Sequence, residues 1–184
     1  MKITLLLAFL ACYFHSLHAF ESNSEYAFIG EQGNENWYYG SIDLDGVYEQ
    51  YDHYDEQGRG WWMDAYDNFK YGNCLAANQH PGPMAESVRS FKSPKRGNIT
   101  IYESLPVIHH DDNGDGVTLR ILKNEDQIWP KGEDPAYLTT DIDSVTTPKI
   151  SVKVNKGDMI HFAVGSNLST RKDQTNWVIE LELK

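Results

Sequence analysis

Apolar and polar residues alternate along two segments in the last third of the chain. Ile150–Val154 and residues 177–183 repeat with a period of two, which predicts strands that each bury one face. Residues 159–164, between them, are apolar except for His161, which predicts a strand covered on both faces. Gly157 lies in the polar turn before this strand, where its lack of a side chain permits a positive φ. Three strands so close together, with no helical period among them, predict an antiparallel sheet.

Further strand patterns precede this region. Residues 26–29, 85–91, 98–102, 117–122 and 127–129 form short apolar or alternating runs, and polar turns separate them. No segment repeats, and no linker divides the chain. About eight short strands joined by turns predict an all-β fold, an antiparallel β-sandwich of jelly-roll type in a single domain.

The chain opens with a basic residue, Lys2, and an apolar run that is too short to span a bilayer. This form predicts a secretory signal peptide, residues 1–19, which is cleaved after Ala19 and followed by the β-sandwich, residues 20–184. A membrane anchor is the alternative interpretation of the same run. We favour the signal peptide, which makes the protein secreted and extracellular, with no membrane span.

Charge and cysteine content exclude several classes of function. The formal net charge of −11 disfavours binding to nucleic acids or anionic membranes, because both require basic patches. Of the two cysteines, Cys12 lies in the predicted signal, so Cys74 is the one thiol left and a disulfide framework is excluded. Cys74 is either buried and inert or pairs with another molecule. Free cysteine often packs as a small hydrophobe, which favours burial.

Residues 41–73 are crowded with aromatic and acidic side chains and show no long period. We interpret them as short strands joined by long loops, which in compact domains often carry function. Sugar rings stack on flat aromatic side chains, while their hydroxyls bond to carboxylates and amides. The predicted glycan-binding residues in this segment are Tyr51, Asp52, Tyr54, Trp61, Trp62 and Asp64.

The alternative for the aromatic residues is a structural role. Trp37, Trp129 and Trp177 lie in or beside predicted strands, where they are expected to pack the core. Trp61 and Trp62 are adjacent and would face opposite sides of an extended segment, so one of the two is expected to be buried.

Asp111, Asn113 and Asp115 alternate in a short acidic stretch that a glycine closes. Oxygen ligands at alternate positions before a glycine match the first half of an EF-hand calcium loop. The match ends at the twelfth position, which is leucine where an EF-hand has glutamate. Two interpretations stay open. One is a calcium site completed by acidic groups from elsewhere, such as Asp43 or Asp45, and the other is a solvated acidic turn.

Two tripeptides, which begin at Asn98 and Asn167, are N-glycosylation acceptors in a eukaryotic source. Asn167 lies in a predicted loop, where a glycan fits. Asn98 begins a predicted strand, so its tripeptide can equally be a chance match.

Short motifs from about residue 30 to the C-terminus occur together in one order and spacing. By these motifs the chain resembles a jelly-roll β-sandwich module of secreted, mostly microbial proteins, similar to carbohydrate-binding modules. The resemblance implies a jelly-roll fold and an extracellular accessory role, most often carbohydrate binding, and it implies no catalytic residues. The motifs are Glu31-Gln32-Gly33, Asn36-Trp37-Tyr38-Tyr39-Gly40, His80-Pro81-Gly82, residues 85–89, Gly114-Asp115-Gly116-Val117, Ile128-Trp129, residues 154–164 and Asp173-Gln174-Thr175-Asn176-Trp177.

The leading hypothesis is a secreted, lectin-like protein that binds polysaccharide or glycan without catalysis and is stabilised by calcium. The alternative is an extracellular matrix, coat or secretion protein that acts by protein–protein interaction and self-association. A third hypothesis is a hydrolase or lyase with a cleft in residues 41–73. The chain contains no nucleophile elbow, His-Glu-x-x-His motif or phosphate-binding glycine loop, which disfavours an enzyme.

Overall fold

The computed structural model describes residues 19–62, 72–108, 114–132, 134–139, 141–142 and 144–184. The predicted signal peptide lies outside these residues, apart from Ala19. No α-helix occurs in the described part of the chain, and none of its helical turns is long and apolar enough to cross a membrane. The regular elements are a 3-10 turn (Asn34–Asn36) and the strands β1 (Phe20–Asn23), β2 (Trp37–Asp43), β3 (Tyr48–Gln50), β4 (His53–Asp55), β5 (Gly60–Trp62), β6 (Asn73–Leu75), β7 (Asn78–His80), β8 (Ala85–Lys92), β9 (Gly97–Ile101), β10 (Val107–Ile108), β11 (Val117–Lys123), β12 (Asp126–Trp129), β13 (Ala136–Leu138), β14 (Ile150–Val154), β15 (Met159–Ser166), β16 (Thr175–Asn176) and β17 (Glu180–Leu183).

The largest sheet has the strand order β12-β11-β15-β8-β2-β3, and β13 also pairs with β11. β15 lies between β11 and β8 and is antiparallel to both, with Phe162 opposite Ile121 on β11 and Arg89 on β8. Successive side chains of a strand point to opposite faces. Accordingly, Phe162 enters the main core, while Ala163 enters a smaller cluster on the outer face of the sheet. The prediction that this strand is covered on both faces is confirmed.

Two smaller sheets complete the sandwich, with the orders β1-β17-β9-β14 and β10-β16-β7-β6-β5-β4. Every strand pair in the described part of the chain is antiparallel. Ile101 and Leu181 from the first of these sheets share one hydrophobic core with Trp61 and Ile108 from the second. The structure is therefore the predicted antiparallel β-sandwich of jelly-roll type.

Aromatic rings form the centre of this core. Trp37 contacts Phe162 with ring centroids 6.0 Å apart, and Phe162 meets Trp177 edge-on at 5.7 Å. Trp129 packs on Trp177 at 6.4 Å. The prediction that Trp37, Trp129 and Trp177 pack the core is confirmed, because all three are buried. Edge-on and tilted contacts of this kind add to the free energy gained from burial alone.

The Cys74 thiol is completely buried in β6, as predicted. Its sulfur lies 3.2 Å from Ser87 Oγ, and burial raises the pKa of the thiol to about 11. A thiol in this position is protonated and shielded from a second molecule, so it packs as a small apolar group.

Three details of the strand prediction are wrong. Residues 26–29 form turns and bends, and the first strand is Phe20–Asn23. The last strand covers only Glu180–Leu183 rather than residues 177–183. The three C-terminal strands do not form one sheet, because β14 and β17 belong to the four-stranded sheet and β15 to the large one. The turn at Gly157, with φ of 92°, therefore carries the chain from one layer of the sandwich to the other.

Candidate functional site

The structure places two of the predicted glycan-binding rings inside the sandwich. Tyr51 is 2% exposed and Trp61 is 5% exposed. Trp61 stacks on Tyr39 at 6.3 Å, and its indole Nε1 donates a hydrogen bond to the carbonyl of Ile29. These two rings support the core and offer no free face to a sugar, which corrects the expectation that they form an exposed stacking surface. The sequence indicated their aromatic character but not which side of each strand faces inward.

The other members of the predicted set keep some surface. Asp52 is exposed, and Trp62 and Tyr54 are half-buried, the Tyr54 ring packing on Trp61 at 5.2 Å. Asp64 lies outside the described residues. As expected for neighbours in a strand, one of the two tryptophans is buried and the other reaches the surface. Sugar contact by Asp52, Tyr54 and Trp62 stays a prediction.

A groove of about 510 Å³ on the outer face of the four-stranded sheet combines exposed aromatic and acidic side chains. Tyr26 is 84% exposed and projects from the turn after β1. That turn is fixed by the Asn23 side chain, whose Oδ1 accepts hydrogen bonds from the backbone N–H groups of Glu25 and Tyr26, at 2.9 and 3.2 Å. We call this feature the tyrosine groove; it is lined by Glu21, Ser22, Asn23, Tyr26, Glu35, Tyr102, Glu180 and Leu181.

Strand pairing brings these side chains together from three distant parts of the chain. Asn23 on β1 lies opposite Glu180 on β17, and its Nδ2 donates a hydrogen bond to Glu180 Oε1 at 3.1 Å. Tyr102, which follows β9, donates its backbone N–H to the Glu180 carbonyl at 2.9 Å. The groove therefore lies across three neighbouring segments of one sheet, and hydrogen bonds join these segments.

Charged side chains surround the Tyr102 ring. Its hydroxyl donates to Glu182 Oε2 at 3.3 Å, and Lys149 Nζ lies 5.2 Å from the ring centroid. A hydrogen bond from Lys184 lowers the pKa of Glu182, so that carboxylate is ionised at neutral pH. Carboxylates, an amide and two phenol rings in one groove are groups that can hydrogen-bond sugar hydroxyls and stack on a sugar ring.

A second concave surface, of about 630 Å³, lies on the outer face of the large sheet, and we call it the outer-face groove. His161, Tyr48 and Arg120 line it. Burial, with a smaller contribution from the Arg120 charge, lowers the pKa of His161 to about 4, so this imidazole is neutral at pH 7. Arg120 forms a bidentate pair with Glu86, in which Nε donates to Oε1 at 2.8 Å and Nη2 donates to Oε2 at 2.5 Å. The Tyr48 ring lies against His161, with centroids 4.9 Å apart, so it is less available for stacking than Tyr26.

The charges of two acidic side chains interact where the acidic stretch predicted to bind calcium leads into β11. Asp111 and Asn113 lie outside the described residues, but Asp115 is described, and the second acidic side chain is Asp173, just before β16. Burial and the Asp115 charge raise the pKa of Asp173 to about 8. Asp43, named above as a further ligand, accepts the backbone N–H groups of Asp45 and Val47 with its Oδ1 and so stabilises its own turn. Calcium binding by Asp43 or Asp45 stays a prediction. No group of three or more His, Cys, Asp or Glu side chains suited to a metal occurs among the residues that the structure describes.

The two predicted glycosylation acceptors differ in their surroundings. Asn167 is exposed and donates its Nδ2 to the backbone carbonyl of Asp115 at 3.0 Å. Asn98 is half-buried in β9 and donates its Nδ2 to Ser151 Oγ at 2.6 Å. Glycosylation at either position stays a prediction.

Three residues important to these sites were missed in the sequence. Tyr26 lies in a segment whose pattern predicts a strand, Tyr102 ends another predicted strand, and Asp173 belongs to a family motif. The single available signal was for Asp173, in the motif Asp173-Gln174-Thr175-Asn176-Trp177. Nothing in the spacing of Tyr26 and Tyr102 indicates that they line one groove, because β1 pairs with β17 and β17 with β9 only in the folded sheet.

No protein-family model matches the chain, and no curated protein matches it in sequence. Among solved structures, the CBM51-2 and INT domains from Clostridium perfringens ZmpB align over 90% of this chain and 29% of theirs, with 11% identity and a TM-score of 0.41. The CBM51 from Clostridium perfringens GH95, in complex with methyl-galactose, aligns over 89% of this chain and 92% of its own, with 11% identity and a TM-score of 0.39. Pika GITRL aligns over 52% of this chain and 76% of its own, with 18% identity and a TM-score of 0.34. These TM-scores indicate only a distant structural similarity, which says nothing about the ligand of this chain.

Proposed function

We propose that this protein is a secreted carbohydrate-binding protein without catalytic activity and that the tyrosine groove binds the sugar. The observation that supports this proposal is the 84% exposure of Tyr26 at the edge of a groove lined by carboxylates and an amide. Single exposed apolar side chains are common on protein surfaces, so the distinguishing feature of Tyr26 is its position beside the carboxylates and the amide of the groove.

The chemistry of the groove suits a neutral, hydroxyl-rich ligand. The C–H face of a sugar ring packs on the Tyr26 ring, and its hydroxyls donate to Glu180 and Glu35, which line the same groove. The Asn23 amide is already hydrogen-bonded to Glu180, so this carboxylate is held in place before a ligand arrives. Such preorganisation reduces the entropy that binding costs.

The proposal is tested by a glycan-array screen followed by calorimetric titration of the best ligand. Tyr26→Ala is expected to weaken binding about tenfold, the effect of losing one stacked ring. Tyr137→Ala is the matched control, because Tyr137 is 48% exposed on β13, outside the groove. It is expected to bind like the unaltered protein, and both variants are expected to keep its melting temperature.

Other outcomes would assign a different function or a different site. Loss of binding in Trp62→Ala but not in Tyr26→Ala would move the site to the segment predicted from sequence. A complete absence of glycan binding, together with concentration-dependent self-association, would overturn the proposal in favour of a matrix, coat or secretion protein. Turnover of a bound polysaccharide would show an enzyme instead.

A further inference from the structure

The outer-face groove has an apolar floor, although it lies on the outer side of the sandwich. Ile42 and Leu122 line the groove and are almost completely buried. They share a small hydrophobic cluster with Val88 and Ala163, and the Tyr48 ring packs against that cluster. The volume of about 630 Å³ is in the usual range of small-molecule sites. The middle of the groove therefore favours a ligand with an apolar body.

The basic side chains in and beside this groove already have counter-ions. Arg120, which lines the groove, forms its bidentate pair with Glu86. Lys123, at the end of β11, has its Nζ 3.1 Å from Asp158 Oδ2. The pKa of His161 is about 4, so its imidazole adds no charge at pH 7. Among the described residues of the groove, no positive charge is left without a counter-ion.

Two acidic side chains of the groove differ from these pairs. Asp45 and Glu125 both line the groove, and both are exposed. Neither carboxylate has a hydrogen bond or an ion pair with another residue that the structure describes. The charge of the groove that is left without a counter-ion is therefore negative, which favours a cationic ligand.

Hydrogen bonds fix the two turns that carry these carboxylates. In the turn between β2 and β3, Asp43 Oδ1 accepts the backbone N–H of Asp45 at 3.0 Å. In the turn between β11 and β12, Asn124 has a φ of 54°, and its Oδ1 accepts the backbone N–H of Met159 at 2.9 Å. The backbone beside Glu125 is thus held to β15. Turns fixed before a ligand arrives reduce the entropy that binding costs.

The two carboxylates lie at opposite ends of the large sheet. Ser41, near the end of β2, is aligned across β8 and β15 with Leu119, near the start of β11. Asp45 lies just after the end of β2, whereas Glu125 lies just after the end of β11. Because β8 and β15 separate β2 from β11, the groove runs diagonally across the sheet, with the apolar floor between the two carboxylates.

An apolar floor with a carboxylate at each end complements an aliphatic chain that carries a positive charge at each end. We propose that the outer-face groove binds an aliphatic diamine or polyamine, whose terminal ammonium groups donate to Asp45 and Glu125. The net charge of −11 adds long-range attraction for such a cation. This site lies on the large sheet rather than in the tyrosine groove, so it does not depend on the proposed sugar binding.

The test is calorimetric titration of the purified protein at low ionic strength with diamines from tetramethylenediamine to dodecamethylenediamine. The affinity is expected to pass through a maximum with chain length, because two fixed carboxylates define one span that the linker must match. The best diamine is expected to bind about fivefold more tightly than the monoamine of the same length. Affinity that only rises with chain length would show apolar attraction alone and would overturn the proposal.

Glu125→Gln and Asp45→Asn each remove the carboxylate at one end of the groove. Each variant is expected to bind the best diamine only about as tightly as the monoamine of the same length. Asp126→Asn is the matched control, because it removes one charge from the exposed neighbour of Glu125, which does not line the groove. It is expected to bind like the unaltered protein. An equal loss in all three variants would show that net charge alone attracts the amines, which contradicts a site.

Two further results would overturn the proposal. The first is neither a heat of binding nor a raised melting temperature with any of the diamines. The second is tighter binding of a lysine-rich peptide than of the best diamine at the same salt concentration, provided that Glu125→Gln abolishes it. That result would assign the groove to a protein partner.

Discussion

Arg89 Nη1 donates a hydrogen bond of 2.8 Å to Ser24 Oγ, and both side chains are completely buried. The same hydroxyl oxygen accepts the backbone N–H of Ile179 at 2.9 Å. Arg89 Nη2 donates to the carbonyl of Leu75 at 2.8 Å. One guanidinium on β8 of the large sheet is thus bonded to β6 and to the segments flanking β1 and β17, so it connects all three sheets. Burial lowers the pKa of Arg89; neutral oxygen acceptors take protons of Nη1 and Nη2, whereas Nε has no hydrogen-bond partner among the described residues.

Replacing this arginine is expected to destabilise the fold. Arg89→Met keeps much of the volume, but it removes the Nη2 donor from the Leu75 carbonyl and one of the two donors from Ser24 Oγ, which keeps the Ile179 N–H. A loss of about 2 kcal/mol in the free energy of unfolding is expected, measured by urea denaturation. Arg96→Met, at an exposed position, is the control and is expected to change stability by less than about 0.5 kcal/mol. An Arg89→Met variant as stable as the unaltered protein would mean that desolvation of the cation cancels its hydrogen bonds.

Gly40 in β2 is expected to tolerate no larger residue. A Cβ atom there would overlap the Glu49 carbonyl and lie 2.8 Å from Cε2 of the Tyr48 ring. Gly40→Ala must therefore move β3 or displace Tyr48 from the outer-face groove, and a cost of about 2 kcal/mol in unfolding free energy is expected. Gly82→Ala is the control, since the nearest heavy atom to its Cβ would be 3.5 Å away. Equal stability of the two variants, measured by thermal unfolding, would refute the steric explanation.

The buried His161 is expected to make stability depend on acidic pH. Its Nδ1 lies 2.8 Å from Ser90 Oγ, and Arg120 faces it from β11. Asp45 and Glu125 line the same groove. Its pKa is lowered from 6.5 to about 4, so the unfolded chain binds this proton more readily than the folded one. The contribution of the neutral His161 side chain to the free energy of unfolding is therefore complete above pH 6.5 and is lost as the pH falls toward 4.

The measurement compares the unfolding free energy of the unaltered protein and of His161→Gln across this range. The variant lacks the titrating group. Its unfolding free energy is therefore expected to fall by about 2 to 3 kcal/mol less between pH 6.5 and 4 than that of the unaltered protein. His53→Gln, at an exposed histidine, is expected to follow the unaltered protein. Parallel curves for all three proteins would show that His161 does not cause the pH dependence.

The strand pattern shows what could be read from the chain directly. Residues 159–164 are apolar on both sides of the strand, and only a strand inside a sheet can bury both. Local turn chemistry likewise indicated the change of direction at Gly157. Trp37, Trp129 and Trp177 were predicted to pack the core from their positions in or beside predicted strands, and all three are buried. Each of these inferences depends on residues that are close together in sequence.

The candidate sites depend on residues that are far apart. Tyr26 and Tyr102 line one groove only because β17 lies between β1 and β9. The charge of Asp115 acts on Asp173 because the loop before Asp173 is hydrogen-bonded to Asp115 through Leu168 and Ser169. The burial of Trp61, in turn, depends on which face of β5 meets the core.

The amino-acid sequence by itself determined the all-β class and most of the strand positions, because hydrophobic alternation acts along the chain and each strand must bury one face or both. The pairing of strands across the sandwich, and with it the tyrosine groove and the Asp115–Asp173 pair, was decided only by the tertiary structure. The groove and the effect of the Asp115 charge on Asp173 both arise between segments that are distant in sequence. The spacing of residues along the chain therefore does not predict them.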